Sequence, residues 1–511
     1  MKISRRAIAL TIALSLSAGF APADEKAVNP KIQEIMEKIS EARIKAILEK
    51  LEAFGTRNTM SNQDDPVRGV GAARQWILNE FKSYSPRLQV RFEKFRVKKQ
   101  GQRIFKDVDL YNVIAVLPGT KMPETQIIVS GHYDSLNLGN RPAGAAGAAP
   151  AGPGTDAAAG GGGGGLNATA NMTLADFEKA ADLPAPGVCD DGSGTAAVME
   201  LARTMSQYEF DKTLVFVAFA GEEQGLIGSS LQAAKAKKES QVIEAVLNND
   251  IIGTEVAGNG RTGNASVNIY SDETMDSISQ QLSRYARETS ERYMPSMKVN
   301  TIFMGDRLGR GGDHTPFQWE GFAAVRLSTP NEIYANQHHA TDTLANMSVP
   351  FTTRVAKVNA VVAASLALAP KPPIVMPEPR AGRGQGTAEA SGTPANSAAP
   401  GAATGAAAGG PGGRRPGPTI ARGGGYDAVL RWRVAGPDAD IKGYSIVMRP
   451  TTSPYWEQEI YVGKVNTYTF KDVSIDDVKF GVKAIGNNGA ESLVTPYTYP
   501  PRPKTEILTV E

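Results

Sequence analysis

The chain has 511 residues, and its 55 Lys and Arg nearly balance its 53 Asp and Glu, for a formal net charge of +2. Nothing in that balance suggests a polyelectrolyte partner, and the expectation is no nucleic acid. Hydrophobic residues make up 41%, enough for more than one core, and the single cysteine, Cys189, excludes an intrachain disulfide.

Residues 1–23 read as a secretory signal peptide. Lys2, Arg5 and Arg6 precede the apolar run Ala7 to Leu16, and Ala21-Pro22-Ala23 offers small residues for cleavage. The run is too short for a spanning helix. The expectation is a secreted or periplasmic protein with no membrane span once the signal is removed.

Residues 24–370 form the main unit. Ile32, Ile35, Met36 and Ile39 recur at helical spacing, and "GAARQWILNEFKSY" predicts another amphipathic helix. Short apolar runs follow: "NVIAVLPG", "TQIIVSGHYDS", "TLVFVAFAGEE", "AVLNNDIIGT" and "FAAVRLSTP". Several precede helical patterns such as "GTAAVMELARTMSQYE". Strands buried on both sides and alternating with helices predict an α/β fold with a mostly parallel sheet. "VPFTTRVAKVNAVVAASLALA" is the expected closing helix.

Two segments interrupt this pattern. Residues 137–183 include "AGAAGAAPAGPGTDAAAGGGGGG" and read as a disordered Gly/Ala-rich insertion. Residues 371–424, rich in Pro, Gly and Ala, read as a linker. Beyond it, residues 425–505 carry the alternating strands "AVLRWRV", "IKGYSIVMRP", "TYTF" and "VKFGVKAI", the pattern of a small all-β sandwich. This segment resembles a fibronectin type III domain, although Val478 stands where that family usually has a corner tyrosine. It is expected to be a passive module that moves on its linker, with at most a weak surface or polymer partner.

The chemistry gathers where apolar runs end. The four histidines are His132, His314, His338 and His339, confined to three short motifs near acids. In "GHYDS", Asp134 lies two residues beyond His132. On an extended backbone its carboxylate can hold the imidazole N–H and leave the other nitrogen for a metal. Asp190 and Asp191 precede a helix start in "GVCDDGSG". Glu222 and Glu223 end the most apolar strand. Neighbours in an extended chain project in opposite directions, so one can ligate an ion while the other serves as a general base. Asp250 interrupts "LNNDIIG", a costly place for an unpaired acid. In "NQHHATDTLAN" either His338 or His339 can be a ligand, and Asp342 or Thr343 can cap the next helix. Imidazoles and carboxylates at the ends of separate strands suit zinc-like ions.

The ordered motifs "GHYDS", "GVCDDGSG", "AGEEQGLIGS", "NND" and "HHATDTLAN" resemble those of the M28 family of zinc peptidases, typified by secreted bacterial aminopeptidases. The resemblance covers about Glu25 to Pro370. It implies two Zn2+ per chain and peptide substrates. Carried over residue by residue, His132, Asp190, Glu223, Asp250 and His338 are the metal ligands, with Asp190 as the bridge. Glu222 is then the general base, Asp134 orients His132, and His314 is structural or lines the pocket. Three departures stand out. The insertion separates His132 from Asp190. Cys189 precedes the bridging acid, where an acid or amide is frequent. Arg307 and Arg310 stand where some members carry an oxyanion-stabilising tyrosine, so Arg310 is a candidate for that role or for binding a substrate carboxylate. The implied activity is an aminopeptidase. The alternatives are a carboxypeptidase, a glutaminyl cyclase-like enzyme with a single zinc, or a catalytically inactive binding protein.

Overall fold

A computed structural model describes residues 28–139, 172–308, 310–376, 420–422, 427–473 and 475–498. The expected signal peptide, residues 140–171 of the expected insertion and residues 377–419 of the expected linker lie outside the described residues.

Three helices lead in: α1 (Pro30–Glu37), α2 (Glu41–Ala53) and α3 (Gly69–Tyr84). Asn29 and Ser40 each cap the helix that follows by accepting a backbone N–H bond. Strands β1 (Gln89–Val97), β2 (Val108–Leu117) and β3 (Met122–His132) come next. The chain then continues through α4 (Leu174–Ala180), α5 (Ser193–Met205), β4 (Lys212–Phe219), α6 (Ile227–Lys238) and β5 (Val242–Asn249). It closes with β6 (Ser266–Tyr270), α7 (Ile278–Tyr293), β7 (Lys298–Ile302), α8 (His314–Trp319), β8 (Ala324–Ser328) and α9 (Val349–Leu368). Helix α4 lies within residues expected to be a disordered insertion. A Thr173–Asp176 capping box explains its start, and Phe177 is buried.

The eight strands form one sheet in the order β1-β2-β4-β3-β5-β8-β6-β7. The central four, β4, β3, β5 and β8, run parallel, while β1 and β2 add an antiparallel edge. Alternate residues of the central strands enter two cores. Ile127, Val129, Leu214 and Phe216 face α5 and α9, whereas Ile128, Val215 and Val217 face α6 and α8. This two-sided burial explains why the strands read as unbroken apolar runs. Helix α9 is the one helix among the described residues long and apolar enough to cross a membrane, and 89% of its apolar window is buried in the fold.

The C-terminal residues form two antiparallel sheets. Strands β9 (Ile374–Val375), β10 (Ile420–Arg422), β11 (Ala428–Arg433) and β14 (Thr467–Phe470) make one; β12 (Ile441–Pro450), β13 (Gln458–Gly463), β15 (Val478–Gly486) and β16 (Thr495–Pro496) make the other. Both described ends of the expected linker are therefore strands. Leu430, Trp432, Ile446, Phe480 and Val482 fill the space between the sheets.

The sandwich does not hang free, contrary to expectation. Buried Asp276, just before α7, pairs with Arg449 of β12 at 2.7 Å and with Arg284 at 3.2 Å. Trp456 Nε1 donates to Gln281 at 3.1 Å, and Arg287 stacks 3.6 Å over the Tyr455 ring. Lys483, on β15, meets Glu459, Glu491 and Glu288 of α7. A linker's composition describes its own stiffness and says nothing about what docks beyond it. Replacing Asp276 with Ala should cost about 3–5 kcal/mol, because it strands buried cations. Urea denaturation reads this directly, and a loss below about 1 kcal/mol would rule out a buried clamp.

Candidate metal centre

The centre lies at the C-terminal ends of the parallel strands. His132 ends β3, Glu222 and Glu223 follow β4, Asp250 follows β5, and His338 sits in the segment after β8. Open α/β sheets leave such a crevice where neighbouring strands feed helices on opposite faces.

Asp190 stands between the two imidazoles. Its Oδ1 is 3.4 Å from His132 Nε2, and its Oδ2 is 3.3 Å from His338 Nε2. Asp250 Oδ1 lies 3.9 Å from His132 Nε2, and Glu223 Oε2 lies 3.1 Å from His338 Nε2. Two donor groups result, His132–Asp190–Asp250 and Asp190–Glu223–His338, with Asp190 common to both. All five side chains are buried. His132 Nε2, His338 Nε2 and both Glu223 carboxylate oxygens have no hydrogen-bond partner. Buried polar atoms are rarely left unpaired, and this donor set of imidazole and carboxylate fits zinc. Of the two histidines left open by spacing, the structure brings in His338.

Glu222 is the neighbour that belongs to neither group. Its Oε2 is 4.0 Å from His132 Nε2. Burial raises its pKa well above the usual carboxylate range, against the pull of His132. The two glutamates do not sit on extended chain. Gly221, with φ +73°, turns the backbone straight after β4, and a side chain there would strike Leu110. Their different placements come from a turn, not from strand alternation.

That turn is fixed by Asp134. Its Oδ1 accepts the Glu222 N–H and its Oδ2 the Glu223 N–H, each at 3.2 Å. His132 Nδ1 instead bonds the Asp134 main-chain carbonyl at 3.1 Å, with carboxylate Oδ1 at 3.7 Å. Asp134 thus orients the imidazole through its backbone, and its carboxylate anchors the glutamate turn.

Three residues have supporting roles that the sequence did not reveal, although Asp191 and Asp342 stand out there for other reasons. Asp191 accepts from His132 N at 3.1 Å, Gly194 N at 2.8 Å and Ile251 N at 3.2 Å. Gly194 must be glycine here, because a Cβ would lie 2.3 Å from the Asp191 carboxylate. Asp342 caps no helix. It receives the N–H groups of Cys189 and Asp190, each at 2.9 Å, and burial lifts its pKa to about 7. Arg57, fully buried, donates to the carbonyls of Leu51, Tyr133, Pro186 and Gly187. Asp191 and Asp342 stood inside recognised motifs; Arg57 carried no local signal.

The remaining candidates lie close by. His314 Nε2 bonds the Gly305 carbonyl at 2.5 Å, and its neighbour Asp313 is buried with its pKa pushed up to about 7. Arg310 is engaged, donating to Gln337 Oε1 at 3.2 Å and lying 3.7 Å from Glu332. Cys189 packs near Gly253 as a small buried filler.

Residues 112–363 match peptidase family M28. A probable zinc metalloprotease of Pyricularia oryzae is 34% identical over 500 residues, spanning 91% of this chain and 84% of the relative. The chain belongs to peptidase family M28. A second probable zinc metalloprotease, from Pyrenophora tritici-repentis, is 30% identical over 92% of this chain and 98% of its own length. Among solved structures, the LapA aminopeptidase of Legionella pneumophila is 18% identical, with a TM-score of 0.47 over 67% of this chain and 76% of that one. A glutaminyl cyclase of Macrostomum lignano is 14% identical, with a TM-score of 0.46 over 68% of this chain and 95% of that one. This M28 protein is a zinc metallopeptidase with a mixed α/β fold.

Zinc must compete with protons for this site. Burial disfavours a charged His338, yet Glu223 and Asp190 outweigh it and push the imidazole up to about 9. The metal needs the neutral ring. Zinc affinity should therefore rise with pH between about pH 6 and about pH 9 and flatten above. Competition with a chromophoric chelator measures this, and a pH-independent affinity would contradict it.

Proposed function

We propose that this M28 protein is a dizinc aminopeptidase that removes N-terminal residues from peptides, with Glu222 as general base. The observation that carries the reading is the position of Glu222: buried, with Oε2 4.0 Å from His132 Nε2, and a member of neither donor group. His132, Asp190 and Asp250 would hold one ion, and Asp190, Glu223 and His338 the other. Bound zinc would supply Lewis-acid chemistry there, acting on the scissile carbonyl and on water. Glu222 accepts the proton of the attacking water and returns it to the leaving amine, a role suited to a carboxylate that burial makes more basic than usual. Asp134 holds Glu222 at its main-chain N–H, so the base and the ligand Glu223 keep a fixed spacing.

Preference for a free amino terminus is argued from charge. Glu222, Glu223, Asp250 and Asp313 are all buried at this centre. An entering ammonium gains partners there, whereas an acetylated terminus brings bulk and no charge. The pairing of Arg310 with Glu332 and Gln337 gives no support to a carboxypeptidase. Export is part of the same proposal and rests on the basic and apolar character of residues 1–23. The free protein would then act on peptides outside the cytoplasm.

Glu222→Gln should keep its zinc and lose turnover by about 10²–10⁴-fold. Elemental analysis beside kcat tests both halves, and a variant that loses metal would make Glu222 a ligand.

Leucine p-nitroanilide should be cleaved far faster than its N-acetyl form. Equal or inverted rates would end the aminopeptidase assignment while leaving the metal centre intact.

A further inference from the structure

Arg326 is a residue the proposed chemistry does not use. It lies within β8, fully buried, in the run "FAAVRLSTP". A buried guanidinium is costly to desolvate and persists only with partners. Its partners lead to the metal centre. Nη2 is 3.2 Å from Asp250 Oδ1 and donates to the Asp250 main-chain carbonyl, also at 3.2 Å. Nη1 holds Asp306 Oδ1 at 2.6 Å. The planar fork thus spans a metal-ligand candidate on one side and a fixed carboxylate on the other.

Asp306 is itself anchored. Its Oδ1 also meets Arg307 Nε at 3.0 Å, and Arg307 Nη1 reaches Glu332 Oε2 at 2.7 Å. Glu332 Oε2 in turn accepts from Gln337 Nε2 at 2.8 Å, the residue before His338. A chain of buried ion pairs therefore runs from Asp250 to Glu332, and a hydrogen bond from Gln337 joins it to the His338 segment.

We propose that Arg326 is a positioning residue that fixes the Asp250 carboxylate for the ion shared with His132 and Asp190. This rests on the metal-centre reading and not on substrate preference. Two contacts from one nitrogen, to the side chain and to the carbonyl of Asp250, restrict the rotation of that carboxylate. A ligand held in place loses less entropy on binding, and partners of ligating groups are typically worth about 10–100-fold in metal affinity. The fork, and not merely its charge, is required, because an ammonium cannot span Asp250 and Asp306 together.

The test titrates zinc into the metal-free full chain against a chromophoric chelator. Asp250→Asn serves as the control that marks which binding step belongs to this position. Arg326→Gln should weaken that step by about 10–100-fold and leave the other within about threefold. Arg326→Lys should lose nearly as much. If Arg326→Gln does not fold, Asp306→Asn leaves the arginine in place but unanchored, and a smaller loss confined to the same step is expected. An unchanged or tighter step in Arg326→Gln, equal loss at both steps, or full recovery in Arg326→Lys overturns the proposal. If Asp250→Asn removes no step, the metal-centre reading itself fails.

Discussion

The structure turns on a concentration of buried negative charge. Asp134, Asp190, Asp191, Glu222, Glu223, Asp250, Asp313 and Asp342 are all buried around one crevice. Carboxylates so close together repel one another and lose their water. The fold offsets this with aimed main-chain N–H groups, with the guanidinia of Arg57 and Arg326, and with the two imidazoles. That compensation stops at the Asp313 carboxylate and at the unpartnered atoms of His132, Glu223 and His338. A divalent cation would complete it at the last three.

This constraint explains why the centre sits at strand ends. Only there can several chain segments each contribute one acid while their backbones remain in the sheet. The parallel order β4-β3-β5-β8 brings four such ends side by side. The glycines between them let the backbones approach. Gly131 and Gly194 both press on the Asp191 carboxylate, closer than any side chain would allow.

Most of the centre was legible because metal ligands break the pattern around them. An acid closing an apolar run, as at Glu222 or Asp250, has no reason to be there in a plain core. Arg326 broke its run in the same way and could have been found by that signal. Arg57 could not, because three of the four carbonyls it binds, those of Tyr133, Pro186 and Gly187, lie far along the chain and its neighbours are ordinary loop residues. The division between Asp134's carbonyl and carboxylate was also hidden, since it depends on the turn at Gly221 and not on spacing. The docking of the sandwich on α7 was invisible for another reason. Asp276, Arg284 and Arg449 are charged residues of ordinary appearance, and only tertiary contact reveals that they are buried together.

Asp191 has a consequence for how the molecule breathes. One carboxylate receives N–H groups from the end of β3, the start of α5 and Ile251, two residues beyond β5. No one of these elements can fray alone without stripping that buried anion of a donor. Opening of the crevice floor is thereby tied to the rupture of the central sheet, among the rarest fluctuations a folded chain makes. Amide hydrogens beneath the centre should therefore be among the slowest in the molecule to exchange.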